Sequence, residues 1–454
     1  MHMISRWIFY FYCATSFVTF IVFMSSSVKE SDWRALSKTF LAMVSTTIIF
    51  SIIYFFGELY SDFILTIFTL LITIFIIIVL LRVRSEGLKF IGEQTRIDER
   101  DALFHRFYIL KPGTHNYENF YSENRALQEI DKKIQNIPDL GEPGSRSYHE
   151  INSMYQTSIF QLVGKIAQNL DDSKKRSQKI EVNPYEITRK IKGFAQYLGA
   201  DLVGTTKLNQ AYVYSHIGRG EGEWGNPIEL NHTHAIAIGI EMRDDMIVHA
   251  PNGPVITESS HKYLETAKIA VILANFIRSL GYEARAHVDG NYRVMAIPIA
   301  VDAGLGELGR IGLLITPQFG PRVRLSIVTT TMPVLQDEPI TFGVQDFCQI
   351  CKKCARVCPS GSIAFADKSV YAGVEKWQSK QESCYRYWRL QGSDCALCIK
   401  VCPYSYPHTI AHELIRYLVQ NNKFARRLIY LGDRLIFSHR AKYKIASPAW
   451  HNES

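Results

Sequence analysis

The sequence predicts an α/β soluble body that follows an apolar, membrane-spanning amino terminus and carries a cysteine-rich module towards its carboxyl end. Three observations lead there: three uncharged apolar stretches within the first 81 residues, alternating helix-like and strand-like runs from about residue 185, and eight of the nine cysteines lying between Cys348 and Cys402. A chain of 454 residues exceeds the usual size of one domain, and a prior of about one domain per 150 residues gives roughly three. The divisions expected are an anchor at 1–84, a polar wrapping segment at 85–184, an α/β core at 185–345, the cysteine module at 346–410 and a basic tail at 411–454. The formal charge of +8 comes with no basic run interleaved with aromatics in a DNA- or RNA-reading pattern, so the acidic partner expected is a lipid bilayer and not nucleic acid.

The apolar stretches are "WIFYFYCATSFVTFIVFM" (7–24), residues 40–56 and "FILTIFTLLITIFIIIVLL" (63–81), each 17 to 19 residues long and uncharged. That is near the short end of what crosses a hydrocarbon core about 30 Å thick. A cleaved signal peptide would account for the first alone, whereas three in succession with tight connections read as three spanning helices. Lys29, Arg34 and Lys38 fall in the first connection, and Arg82, Arg84 and Lys89 follow the third stretch; "GELYSD" between the second and third carries no positive residue. Positive loops stay on the cytoplasmic side, which places the soluble body in the cytoplasm, at the inner membrane. None of the stretches contains a histidine, so they read as an anchor and not as a bis-histidine haem site.

Residues 85 to about 150 are polar and are punctuated by "KPGTHN" and "PDLGEPGS", as a surface-wrapping segment would be. After residue 185 the texture changes. "YEITRKIKGFAQYLGA" has apolar residues at helical spacing and ends near a glycine, and "HKYLETAKIAVILANFIRSLGY" is a strong amphipathic helix stopped at Gly281. "HAIAIGIEM" is a continuous small-apolar run expected of a buried strand, and "RVRLSIVTT" alternates as a strand should.

The cysteines form two arrays. The first is Cys348-x2-Cys351-x2-Cys354-x3-Cys358-Pro359; the second is Cys384, ten residues, then Cys395-x2-Cys398-x3-Cys402-Pro403. Such crowding in a reducing compartment means metal and not disulfides. Two-residue gaps wrap the backbone round one cubane so that three thiolates converge, while the x3 gap and proline swing the fourth sulfur to the other cluster. On that rule one [4Fe-4S] cluster takes Cys348, Cys351, Cys354 and Cys402, and the other takes Cys384, Cys395, Cys398 and Cys358. Structural zinc sites are built from separated pairs and need no triplet followed by Cys-Pro. Two neighbouring clusters make an electron relay. No Walker loop and no Gly-x-Gly-x-x-Gly after a strand is present to hold an acceptor; "GLGELGRIG" (304–312) has glycines at that spacing, but a lone match without the strand is weak.

Residues 290–334, "GNYRVMAIPIAVDAGLGELGRIGLLITPQFGPRVRLSIVTTTMPV", followed by the double array and "CYRYWRLQGSDCALCIKVCP", resemble the corrinoid-dependent reductive dehalogenases over roughly 185–410. The resemblance implies a nitroreductase-like α/β core that binds cobalamin base-off, with a ferredoxin-like module feeding electrons to it, and the replacement of halide by hydrogen in a small organohalide, expected to be a halogenated aromatic. The chain agrees in lacking Asp-x-His-x-x-Gly, the signature of a histidine ligating cobalt from below. Carried over residue by residue, the resemblance implies Tyr263 as proton donor, Arg324 as the cation that eases its deprotonation, with Arg322 as the rival assignment, and Asn291 as a third catalytic residue. A guanidinium about 4 Å from a phenolate stabilises it by up to roughly 4 kcal/mol at an effective dielectric of 20. Each position also has an ordinary reading: Tyr263 is one of 24 tyrosines, Arg324 lies in a strand-like run, and Asn291 belongs to the turn sequence "DGNY". His232 and His234 in "NHTHA" read as polar loop residues.

Members of that family that respire carry a twin-arginine leader, which is not seen ahead of the first stretch, and self-sufficient members carry an appended flavin reductase, which is not seen after Cys402. A separate electron donor, a ferredoxin, flavodoxin or reductase, is therefore expected. The rival resemblance is to epoxyqueuosine reductase, with an aspartate at about Asp289, and a different class again is a membrane-bound iron–sulfur carrier without catalysis; corrinoid content separates a carrier from both enzymes.

Overall fold

The computed structural model describes residues 2–29, 32–60, 62–81, 85–170, 175–436 and 449–451. The chain forms two compact units: one of Met1–Glu86, Phe342–Cys351 and Pro407–Arg440, the other of Gly87–Thr341, Lys352–Tyr406 and Ala441–Ser454. Arg82 and Arg84, used to orient the anchor, lie outside the described residues, as does most of the basic segment after residue 436.

In the first unit three helices, α1 (His2–Lys29), α2 (Trp33–Tyr60) and α3 (Asp62–Leu80), pack against one another, with Tyr12 and Thr73 hydrogen-bonded at 2.6 Å between α1 and α3. The expectation of three membrane-spanning helices is met by two. Trp7–Lys29 and Trp33–Phe56 are long and apolar enough to cross a bilayer, whereas the apolar stretch among the described residues of α3, Thr69–Val79, is shorter. Eleven residues rise only about 16 Å, roughly half a hydrocarbon core. The side chains of α1 and α2 are mostly exposed, Phe11 at 62 % and Leu41 at 65 %. The expected tail is in fact helical: Ile410–Asn421 packs on α1 and α3, and Lys423–Ile436 packs on α2 and α3 and on the helix Val344–Cys351. Arg426, 1 % exposed, fastens this bundle by donating to Asp346 Oδ2 at 3.0 Å and to the carbonyl of Val419 at 2.7 Å.

The second unit is built on a four-stranded sheet whose spatial order is Leu202–Lys207, His234–Glu241, Val323–Thr330, Ala284–His287, every pair antiparallel. The two central strands pair over eight residues, from His234 opposite Thr330 to Glu241 opposite Val323. Both faces are covered. The long helix Gly253–Ser279 lies over Ile236, Ile238, Ile240 and Val328, and the short helix Ala296–Asp302 lies over Ala235, Ala237 and Ile327 on the other side. This explains why Val323–Thr330 is buried along nearly its whole length instead of alternating. The helix Pro184–Tyr197 begins as its sequence predicts, with Asn183 Oδ1 accepting from the N–H groups of Tyr185 and Glu186 and proline at the first position.

Two segments differ from expectation. The long helix starts at Gly253, eight residues before the run that marks it, because Glu258, Ser259 and Ser260 are buried polar residues that break the apolar period. The wrapping segment contains four helices, Leu103–Tyr108, His115–Glu123, Arg125–Gln135 and Asn152–Gln168. They are held by Arg106, which donates to Asp131 Oδ2 and Glu382 Oε1, both at 2.8 Å, while Tyr121 donates to the same Asp131 oxygen. Leu273, fully buried where the long helix meets the sheet, tests the packing: Leu273→Ala is expected to destabilise the protein by about 2–5 kcal/mol, read from denaturant unfolding, and a loss under about 1 kcal/mol would contradict the burial described.

Candidate active site and cysteine module

On the long helix Ser259 and Tyr263 stand one turn apart and so share a face. That face meets the side of Val323–Thr330 that carries Arg324. Arg324 donates to Ser259 Oγ from Nε at 3.0 Å and from Nη2 at 2.7 Å, lies 3.2 Å from Asp394 Oδ2, and places its guanidinium carbon 5.1 Å from the Tyr263 ring centroid. Burial pushes the Tyr263 phenol up to about 12, against the pull of Arg324 and with the negative charges of Asp289 and Asp394 adding to the rise. The phenol therefore holds its proton throughout the neutral range, beside a cation suited to the phenolate.

Arg322, two residues earlier, is excluded from that position by its own partners: it is 1 % exposed and donates to Glu241 Oε1 and the Met242 carbonyl at 2.6 Å and to the Ser405 carbonyl at 2.9 Å. Asn291 is fully buried, and its side-chain amide is spent on protein partners, donating to the Ala167 carbonyl at 2.7 Å and accepting from Arg285 at 2.9 Å. The structure thus brings Tyr263 and Arg324 together and gives Asn291 a bracing geometry. His232 and His234 are hydrogen-bonded to Thr329 and Thr233, and among the described residues no three His, Cys, Asp or Glu side chains converge tightly enough to hold a single metal ion.

Several residues at the site carry no mark in the sequence. Tyr214 and Tyr292 are half-buried, as Tyr263 is, and Tyr292 lies within electrostatic reach of both. Burial pushes Tyr214 up to about 12 and Tyr292 well above its usual value; the Tyr292 hydroxyl donates to the Leu325 carbonyl at 2.8 Å. Arg219 pairs with Asp289 at 3.8 Å, and its Nε is buried without a hydrogen-bond partner. A leftover donor at this position fits a ligand with peripheral carbonyl groups, as a corrinoid has. Ser259 was detectable as the residue one turn before Tyr263, and Asp394 as the neighbour of Cys395.

Within the second unit the thiols of Cys358, Cys384, Cys395 and Cys398 act on one another electrostatically, which brings together the four residues that the spacing assigns to one cluster. Cys395 and Cys398 sit in an apolar cluster with Met242, Val255, Leu397 and Trp388. Burial pushes Cys384 up to about 11, Cys395 up to about 12 and Cys398 well above its usual value. Such thiols give up their protons only to a bound cation, the role iron plays in a cluster. Cys358 differs: burial raises it, but the Ser360 hydroxyl at 3.4 Å and the N–H groups of Ile363, Ser362 and Ser360 bring it below the usual thiol value. The two arrays also repeat one backbone device. Lys352 after Cys351 and Ala396 after Cys395 each adopt left-handed backbone, φ 50°, and each opens a short helix, Lys353–Val357 and Leu397–Lys400, which pack on each other.

Residues 347–406 match the 4Fe-4S dicluster domain. The chain is 34 % identical over 276 residues to a tetrachloroethene reductive dehalogenase of Sulfurospirillum multivorans, covering 53 % of this chain and 55 % of that one. It is 30 % identical over 282 residues to a tetrachloroethene reductive dehalogenase of Desulfitobacterium hafniense, covering 52 % and 51 %. The chain spans about half the length of the curated relatives it matches. Among solved structures, a catabolic reductive dehalogenase in complex with 3-bromo-4-hydroxybenzoic acid is similar at a TM-score of 0.63 and 26 % identity, over 79 % of this chain and 49 % of that one. An epoxyqueuosine reductase of Listeria monocytogenes is 32 % identical over only 119 residues, 25 % of this chain and 30 % of that one. The resemblance to reductive dehalogenases is thereby shown, and the chain has their fold with an iron–sulfur dicluster module. Cys395→Ser is expected to lower bound iron by about half while the other cluster persists; full iron content in that variant would reject the ligand set.

Proposed function

We propose that the protein is a corrinoid-dependent reductive dehalogenase with a nitroreductase-like cobalamin-binding core, attached to the inner membrane, in which Tyr263 supplies the proton that takes the place of the halide. The observation that carries the reading is the Tyr263–Arg324 pair, a protonated phenol with a guanidinium 5.1 Å from its ring, in the same unit as the four thiols that the spacing assigns to one cluster. The reaction balances as R–X + 2 e⁻ + H⁺ → R–H + X⁻. A corrinoid bound base-off in the core supplies the cobalt chemistry at which the carbon–halogen bond is reduced.

The rest falls to the chain's own residues. Cys358, Cys384, Cys395 and Cys398 would hold one [4Fe-4S] cluster and Cys348, Cys351, Cys354 and Cys402, assigned by spacing, the other, and the pair would supply electron transfer from a separate donor, a ferredoxin, flavodoxin or reductase. Tyr263 gives its proton to the carbon that loses halide. A guanidinium about 5 Å away stabilises the resulting phenolate by roughly 3 kcal/mol at an effective dielectric of 20, and without that pull burial would hold the Tyr263 proton more tightly still. Arg324 thus makes a buried, reluctant acid able to donate and then to be reprotonated. Asn291 braces the turn before Tyr292 by holding Ala167 and Arg285. The ring faces of Tyr214, Tyr263 and Tyr292 favour an aromatic organohalide. Attachment to the bilayer rests on α1 and α2, whose stretches Trp7–Lys29 and Trp33–Phe56 are long and apolar enough to cross it.

With corrinoid and iron loaded and methyl viologen as reductant, the wild type is expected to release halide from 3-bromo-4-hydroxybenzoic acid or from a chloroethene. Tyr263→Phe is expected to keep cobalt and iron and lose most of that turnover; undiminished turnover would reject Tyr263 as the acid. Iron without cobalt in the wild type would reject the corrinoid reading.

A further inference from the structure

The turn that presents Cys395 also aims a carboxylate at the proton donor. Asp394 directly precedes Cys395, its carbonyl accepts from the Ala396 N–H at 2.7 Å, and both Cys395 and Ala396 take left-handed backbone, φ 59° and 50°. Two successive non-glycine residues in that region persist only when their surroundings hold them. Here both outputs of the turn are gripped. The Cys395 side chain is packed among Met242, Val255 and Leu397, and the Asp394 carboxylate, 8 % exposed, lies 3.2 Å from Arg324. Arg324 in turn covers the Tyr263 ring. One buried carboxylate therefore stands a single residue from a cluster ligand and a single guanidinium from the phenol, its pKa raised by burial against the pull of Arg324. Its field is felt at Cys384 and Cys395 on one side and at Tyr263 on the other.

We propose that Asp394 is a positioning residue that couples the charge on the cluster held by Cys358, Cys384, Cys395 and Cys398 to the proton held on Tyr263, acting through Arg324. This rests on the reading of Tyr263 as the proton donor. The charge of Asp394 opposes an added electron on the adjacent cluster and so holds that cluster's potential low. It also competes with a phenolate for Arg324, so the proton stays on Tyr263 while the cluster is reduced. When the electron has moved on to the reaction, the negative field at Tyr263 falls and the proton leaves more readily. The order imposed is electron first, proton second. The other groups that face Tyr263 are Asp289, Arg219 and Tyr292; none of the three adjoins a cluster cysteine in the chain, and Asp394 does.

The test uses the full-length protein loaded with iron and corrinoid. In Asp394→Asn, a redox titration followed by electron paramagnetic resonance is expected to show one cluster midpoint moved upward and the other unchanged, and the alkaline limb of the turnover profile with 3-bromo-4-hydroxybenzoic acid moved to lower pH. Two unmoved midpoints at full iron content would overturn the coupling. Should Asp394→Asn lose iron, Asp394→Glu decides: with the carboxylate kept, a midpoint at the wild-type value supports the role of the charge, and one displaced upward shows that shape alone mattered and overturns it. Failure of the wild type to dehalogenate any organohalide would sink the functional reading separately, because the midpoints are measured without turnover.

Discussion

A guanidinium kept almost out of water, that of Arg324, is the constraint on which the α/β unit depends. A buried cation is costly by several kcal/mol unless it is paired and hydrogen-bonded, and Arg324 is satisfied from three directions: by Ser259 and the Tyr263 ring from the long helix, by Asp394 from the cysteine module, and by its own place on a central strand. One side chain's need for partners therefore holds helix, sheet and module in a common register. Arg322 meets the same need differently, through Glu241 and two carbonyls, and in doing so ties the strand end to the segment around Ser405. Arg322 just precedes the strand and Arg324 lies within it, yet one is structural mortar and the other borders a titratable ring.

The thiols obey the same rule with the sign reversed. Near Cys358 the surroundings are polar, with Ser360, Ser362 and Ser383 linked in a hydrogen-bonded row, whereas Cys395 and Cys398 face Leu397 and Trp388. A charged cofactor in that place has a solvating side and a dry side. Backbone and hydroxyl donors on the first lower the energy of negative charge there; the apolar wall on the second keeps water away and keeps electrostatic interactions strong. In the other unit the helix carrying Cys348 and Cys351 is bound through Asp346 and Arg426 to helices that pack on the apolar bundle, so part of the first cysteine array is fixed to those apolar helices.

Much of this was legible in the chain because it is encoded locally. The cysteine spacings mark an iron–sulfur dicluster module, and a mostly small and apolar run such as His234–Glu241 has few alternatives to a buried strand. The helices of residues 103–168 were not legible. They are short and polar outside, and what holds them, Arg106 with Asp131 and Glu382, joins positions up to 276 apart. The early start of the long helix was hidden for a related reason: Ser259 is buried as a hydrogen-bond acceptor for Arg324, so its polarity reads as exposure until the partner is known. Asn291 was placed with the catalytic residues by its motif, while its amide is committed to Ala167 and Arg285.

By itself, then, the sequence determined the parts list: the apolar stretches, the cysteine arrays, the tyrosine on a helix and two arginines on a strand, each fixed by periodicity or spacing within one segment. Only the tertiary structure decided which arginine serves the phenol, that a carboxylate beside a cluster cysteine shares it, and how many helices have the length and apolarity to cross a membrane. Those outcomes depend on desolvation and on pairing between distant segments, and the free energy of a buried charge is set by whatever surrounds it in space, which no local pattern records.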